Sequence, residues 1–325
     1  MIMSSKRIIA YLIVFVPLLV ALPFVVPDYP LHLTNIVGIW IILALGLGLL
    51  QGHLGEISMG HAAFFGIGGY TSVLLTMDTG LSFWLALPIS GIITMGFGYV
   101  IGIISLRLRG PYFAICTLGF GEIIHIVFIN WRELTCGPDG ITGIPSPSDI
   151  SVPFFGTLSF SSFEANYFLI YVVVFFTIFI MYRILHSRLG RAIKAIKVDQ
   201  DYAQSMGIDI MNYKRLVFMI STFFCGLAGS LFVHYTHYIS PHSFNVSQSF
   251  DLVIMVIIGG MGTIIGPILG AIILTLLPEF LHALIDYRMI VYGLMLMMVI
   301  IFFPHGVAGI IDNARKRFLR TNLTV

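Results

Sequence analysis

Long apolar runs separated by short polar breaks occupy most of the chain. A membrane-crossing helix needs about 20 mostly apolar residues. Runs of that kind fall at about 8–26, 33–50, 59–77, 83–106, 112–130, 167–185, 216–235, 251–278 and 288–303. The predicted fold class is all-α: a polytopic integral membrane protein of about 8–10 transmembrane helices, some of them broken or re-entrant, in one transmembrane domain over 1–325. Trp84, Trp131, Tyr167 and Tyr171 lie near span ends, where an interfacial aromatic belt is expected. The first run follows Lys6 and Arg7 and is long enough to span. With no small-residue cleavage site before Asp28, it reads as a retained helix rather than a leader.

Lys and Arg placement orients these spans, because basic loops stay in the cytoplasm. Arg107 and Arg109 mark an inside turn. The densest basic cluster is the cytoplasmic loop 186–215, with Arg188, Arg191, Lys194, Lys197, Lys214 and Arg215. A basic cytoplasmic tail follows over 304–325. By contrast, 131–166 holds only Arg132, is rich in Pro, Gly and Ser, and reads as an external loop. Nine simple crossings would leave the tail outside, so one run must be split or re-entrant. The run 251–278 is the best candidate. Its Gly262, Gly266 and Gly270 share one helical face, suited to close helix–helix packing. The other reading is a break at Gly259–Gly260 lining a cavity.

Composition agrees with a lipid-embedded chain. Of 325 residues, 58% are hydrophobic and only 10% are charged, whereas soluble domains carry about 25% charged residues. The cysteines, Cys116, Cys136 and Cys225, suggest no disulfide framework. No lysine stands in a phosphate-binding loop, and no zinc-protease or nucleophile-elbow pattern occurs. The chain therefore has no predicted catalytic residue, metal or cofactor, is not expected to be an enzyme, and has no nucleic-acid partner in view. Ionisable residues inside the spans are few: Glu122 and His125, with Glu56, His61 and Asp251 marginal. A proton-driven carrier would usually hold a longer relay.

Within the cytoplasmic loop, Leu189, Ala192, Ile193 and Ile196 follow helical periodicity among interleaved basic residues. That helix reads as lying on anionic membrane lipid. A second short helix follows, with Asp199 as its N-cap and Gly207 as a left-handed terminator. Tyr202, Ala203 and Met206 are expected to make a small exposed apolar face suited to a groove on another protein.

The stretch QGHLGEISMGHAAFFGIGGY, residues 51–70, is too polar at its start for mid-bilayer helix. Ser58 is a predicted N-cap, with His61 three residues on. A turn at the cytoplasmic interface is one reading. The other is a bent segment beside a translocation path, with Glu56, Ser58, Gly60, His61, Thr117, Gly259 and Gly260 as candidates. A carboxylate is costly at the bilayer centre, so Glu56 should see water or a partner.

Asp201, Tyr202, Ala203 and Gly207 have the spacing of the coupling motif of ABC importer permeases, which they resemble. The blocks GHLGEISMGHAAFFGIGGYTSVLL, LRLRGPYFAICTLGFGEIIHIV, LTCGPDGITGIP, MGIDIMNYKRLVFMISTFFCGLAGSL, IGGMGTIIGPILGAIIL and FFPHGVAGII resemble, in order, those of the branched-chain amino acid ABC permease family of the LivM type. Where that family commonly has Gln, this sequence has Glu56. The resemblance implies a permease subunit of an ATP-driven importer in the bacterial inner membrane. It implies as partners a sister permease of the LivH type, two cytoplasmic ATPase subunits that hydrolyse the nucleotide, and a periplasmic or tethered substrate-binding protein. It implies coupling at 199–207 and leucine, isoleucine or valine as cargo. Relatives for urea and short amides keep that cargo open, and the rival class is an ion-coupled secondary transporter working alone.

Overall fold

The computed structural model describes residues 22–152, 156–158, 160, 162–280, 293, 297 and 306–309. Most of the expected spans at 8–26 and 288–303 and most of the tail lie outside them.

Among the described residues, ten helices carry the architecture. They are α1 (Asp28–Gly48), α2 (His61–Met77), α3 (Phe83–Ser105), α4 (Pro111–Asn130) and α5 (Phe163–His186). Then follow α6 (Arg188–Val198), α7 (Gln200–Ser205), α8 (Ile210–Thr236), α9 (Val246–Gly259) and α10 (Ile265–Phe280). The first continues past Gly48 as a π-helical stretch, Leu49–Leu54. Five helices are long and apolar enough to cross a membrane among the described residues: α1 with its extension, α3, α4, α5 and α8.

The centre is α8, packed against α1, α2 and α3. Small residues let these backbones touch: a Cβ on Gly68 would stand 2.3 Å from the Gly226 Cα. Polar seams close the same interface, with Ser72 Oγ 2.7 Å from Ser230 Oγ and 3.0 Å from the His234 Nε2. Most of the apolar surface of α3 and α4 is uncovered, whereas α1 and α8 are largely buried. That uncovered surface is where lipid or other subunits belong.

The expected split of 251–278 is present, but its glycines differ from both readings: Gly266 and Gly270 lie in α10 and pack closely, Gly262 lies in the turn at φ +86°, and Gly259 faces packed backbone rather than a cavity. Gly259 ends α9, and Gly260, at φ +118°, turns the chain as few residues but glycine can. The returning α10 then lies so close that a Cβ on Gly259 would meet the Gly266 carbonyl oxygen at 1.8 Å, and one on Gly270 would meet that of Met255 at 1.8 Å. This turn sits at the end of α1, where a Cβ on Gly52 would be 2.9 Å from the Gly262 nitrogen. At its far end α10 reaches back to the start of α1, where the Tyr29 hydroxyl donates to Glu279. Two short helices thus stand where the sequence has one apolar run.

The expected external loop carries a helical turn at Arg132–Thr135, the ribbon Ile150–Val152 with Gly156–Leu158, and a pairing of Ile141–Thr142 with Tyr238–Ile239. His234 and His237 tie it to the end of α8 through the carbonyls of Pro145 and Ile144, at 2.8 and 2.9 Å. One aromatic-belt assignment needs correction: Tyr167 is buried in the bundle. The Trp84 indole, at the start of α3, donates to the Ser148 carbonyl at 2.9 Å. All three cysteines are free.

Candidate coupling and translocation site

Two groups of predicted residues come together at the basic end of the bundle, and contacts join them. The outer group is α7 and its flanks. Asp199 caps α7 as expected, accepting the Tyr202 N–H at 2.9 Å. At its other end the Gly207 N–H donates to the Gln204 carbonyl and the Ile208 N–H to that of Ala203, at 3.0 and 3.1 Å. This is a Schellman termination, and Gly207 has the left-handed φ of +80° that it needs.

The exposed face of α7 differs from the expectation. Ala203 is 1% exposed and faces the bundle, while Tyr202 and Met206 are 68% and 67% exposed. A six-residue helix has too few turns for periodicity to fix its inner side. Asp201 also points outward and pairs with Arg109 of the α3–α4 turn at 3.3 Å, with both side chains solvated. Such an exposed pair adds at most about 1 kcal/mol. Between that turn, α7 and the start of α8 lies a cleft of about 440 Å³, lined by Arg107, Arg109, Gln200, Gln204, Asp209 and Lys214 among others.

The preceding helix is also corrected. The apolar side of α6 does not rest on lipid: Ile193 and Ile196 are buried in the protein core, where α6 meets the π-helical stretch and α8. From its basic side, Lys197 Nζ donates to the Gly52 carbonyl at 2.7 Å. That carbonyl belongs to the π-helical stretch, where the altered hydrogen-bond pattern frees backbone oxygens.

The inner group is the segment 55–60, which climbs back between helices without helical structure. Glu56 is neither at an exposed turn nor free. Its carboxylate accepts from Lys214 Nζ, and the two side chains are 3% and 1% exposed. Lys214 is therefore not part of a solvated basic cluster. Ser58 does not cap α2, which begins at His61 after Gly60. Instead Ser58 Oγ lies 2.8 Å from His61 Nδ1, and His61 Nε2 lies 2.8 Å from Ser221 Oγ. Ser221 spends its own proton on the Gly46 carbonyl, at 2.7 Å. It must therefore accept from Nε2–H, which leaves Nδ1 of the neutral ring to accept from Ser58.

The remaining backbone is held from two sides. The Met59 N–H donates to Thr117 Oγ1 at 3.1 Å, and the Ala62 N–H to Ser249 Oγ at 3.0 Å. A Cβ on Gly60 would strike the Thr117 carbonyl at 2.3 Å. The structure thus gathers Glu56, Ser58, Gly60, His61 and Thr117, all buried. It places Gly259 and Gly260 apart from them, in the α9–α10 turn. Sequence reasoning missed Ser221, Ser249, and Lys197 and Lys214 as specific partners. Their contacts link residues far apart in the chain, and no local motif signals them. Among the described residues no group of three or more His, Cys, Asp or Glu could hold a metal.

The sequence model of the family described as "Branched-chain amino acid transport system / permease component" matches residues 29–300. The chain is 35% identical over 313 residues to the high-affinity branched-chain amino acid transport system permease protein LivM of Escherichia coli strain K12, covering 91% of this chain and 74% of that one. It is 27% identical over 284 residues to the corresponding permease protein BraD of Pseudomonas aeruginosa, covering 82% and 91%. The similarity to the LivH permease protein of E. coli K12 is 25% over 287 residues, covering 82% and 90%. No solved structure matches the chain.

Proposed function

The chain belongs to the family of branched-chain amino acid transport permease components, a family of multi-pass membrane proteins, and on that footing we propose that it forms part of the membrane path of an ATP-driven importer for leucine, isoleucine and valine. Its partners in this reading are a sister permease, two ATPase subunits on the basic face and a substrate-binding protein on the other. ATP is hydrolysed in the ATPases, and this chain converts their movement into alternating access.

The observation that carries the reading is α7. It is capped at both ends, presents Tyr202 and Met206 outward, and is tied to the membrane segments behind it. A displacement of α7 passes through Ala203 and α6 to Lys197 and the Gly52 carbonyl, and through α8 to Lys214 and Glu56. From Glu56 the segment 55–60 leads to the Ser58–His61–Ser221 contacts, about two turns along α8 from Lys214. Closure of this buried polar segment against Thr117 and Ser249 suits a gate, since irregular backbone in a membrane needs protein or water around it.

The test is reconstitution. The chain is purified with its co-purifying subunits, supplied with the cognate binding protein, and offered labelled leucine and labelled urea. ATP-dependent leucine uptake is expected. Urea uptake with none of leucine would overturn the cargo, and leucine uptake without ATP would overturn the importer class.

A further inference from the structure

We propose that segment 55–60 is a strap that lifts off α8 during transport, and that the Glu56–Lys214 pair is the catch that holds it down. The inference rests on the importer reading above and deepens it by naming the contact that opens.

The backbone is the first ground. Between the π-helical stretch and α2 the segment has no helical structure, and its residues alternate. Glu56, Ser58 and Gly60 are buried, Gly55 and Ile57 are exposed, and Met59 is half-buried. It therefore lies across the bundle as extended chain does, with every second residue as an anchor. Gly55, at φ +89°, supplies a hinge where the segment begins. Few bonds tie it down. The Met59 N–H goes to Thr117 of α4, and Ser58 bonds to His61 in the next helix. Among the described residues, Glu56 to Lys214 is the one side-chain hydrogen bond that joins the segment directly to α8.

The pair itself is the second ground. Glu56 Oε1 accepts from Lys214, while Oε2 is buried with no protein partner. Lys214 carries three N–H donors and makes one hydrogen bond among the described residues, to Glu56. A buried ion pair offsets its desolvation only when further hydrogen bonds satisfy the remaining lone pairs and protons. This pair lacks them, so it is costly to break from one side and loses little when both charges reach water together.

The third ground is the nearness of water. Lys214 lines the cleft of about 440 Å³ between α7, the α3–α4 turn and the start of α8, although its side chain is only 1% exposed. The ion pair thus sits just inside the cleft wall. Gln200 and Gln204 of α7 and Arg107 of the turn form other parts of that wall. Movement of α7 away from the turn widens the cleft, hydrates Lys214 and frees Glu56. The return movement expels the water and resets the catch.

The experiment uses the assembled complex, after the wild type has shown ATP-dependent leucine uptake. Failure at that point would count against the importer reading and not against the strap. Cys116, Cys136 and Cys225 are replaced by serine, and Ser58→Cys is introduced on the buried side of the segment. Its rate of reaction with methanethiosulfonate ethylammonium is measured without nucleotide, during turnover with ATP and leucine-loaded binding protein, and after trapping with ATP and vanadate. Reaction tracks the population of the lifted form, so a rise of roughly tenfold is expected in turnover or in the trapped state. Glu56→Gln and Lys214→Met together remove the catch without leaving a lone buried charge. In that background the rate without nucleotide is expected to rise roughly tenfold, because the lifted form is no longer held back by the pair. The exchanged pair, Glu56→Lys with Lys214→Glu, is expected to restore slow reaction. Met59→Cys is read in the same way should Ser58→Cys not assemble. Equal rates in all three nucleotide states overturn the strap. An unchanged rate without nucleotide in the double variant overturns the catch.

Discussion

Lys214, near the start of α8, donates to the carboxylate of Glu56 inside the protein, where both side chains are buried. A buried pair of this kind is costly to break from one side, because the surviving charge keeps its desolvation penalty and loses its partner. Glu56→Gln is expected to destabilise the chain by about 3–5 kcal/mol, even though glutamine is nearly isosteric. Lys214→Met alone should cost a similar amount, and the double variant Glu56→Gln, Lys214→Met should recover most of it. Unfolding of the purified protein, read as a double-mutant cycle, checks this. Additive losses would mean that the two side chains do not act as a pair.

The two sides of α7 should separate docking from folding. Tyr202→Ser and Met206→Ser remove exposed apolar surface, so ATPase association and uptake are expected to fall while thermal stability holds. Ala203→Asp puts a charge into a packed position and should lower both. Gly207→Val forces a β-branched residue to φ +80°, a strain of about 1–3 kcal/mol, although nothing lies within 4 Å of its Cβ. Co-purification of the ATPase with each variant, beside its melting temperature, is the measurement.

The α9–α10 hairpin should be intolerant of a single methyl. Gly259→Ala and Gly270→Ala each place a Cβ 1.8 Å from a backbone oxygen, so little folded protein is expected in detergent. Gly96→Ala, with nothing within 4 Å of its Cβ, is the control and should cost nothing or slightly stabilise α3. Monodisperse yield after extraction distinguishes the three.

Orientation is open to direct chemistry. In a chain whose native cysteines are replaced by serine, Ser148→Cys should react with an impermeant thiol reagent on intact cells, and Val198→Cys should not. Both positions are exposed, so access to the reagent depends on the membrane and not on burial. The reverse pattern would invert the topology.

The spans were readable because about 20 apolar residues in a row is a signal each helix carries by itself. Caps were readable for the same local reason, as Asp199 and Gly207 demonstrate. What could not be read is pairing at a distance. Counting Lys214 among the basic loop residues treats every lysine alike, and nothing near it in the chain announces Glu56. The segment 55–60 was ambiguous because glycines and short polar residues suit an interfacial turn and a re-entering strand of backbone equally well. The side Ala203 faces was undetermined because six residues do not define a helical stripe.

The central position of α8 bears on how the chain is made. Helices α1, α2 and α3 leave the ribosome long before α8, yet it is α8 that covers the small-residue groove around Gly68 and satisfies Ser72 through Ser230 and His234. Until it arrives, those hydroxyls and bare backbone surfaces face lipid or whatever escorts the nascent chain. Insertion of single helices and consolidation of the bundle are therefore two separate events in time. A translation product that stops within the loop before α8 would hold correctly inserted helices with their polar seams open, a natural substrate for membrane quality-control proteolysis.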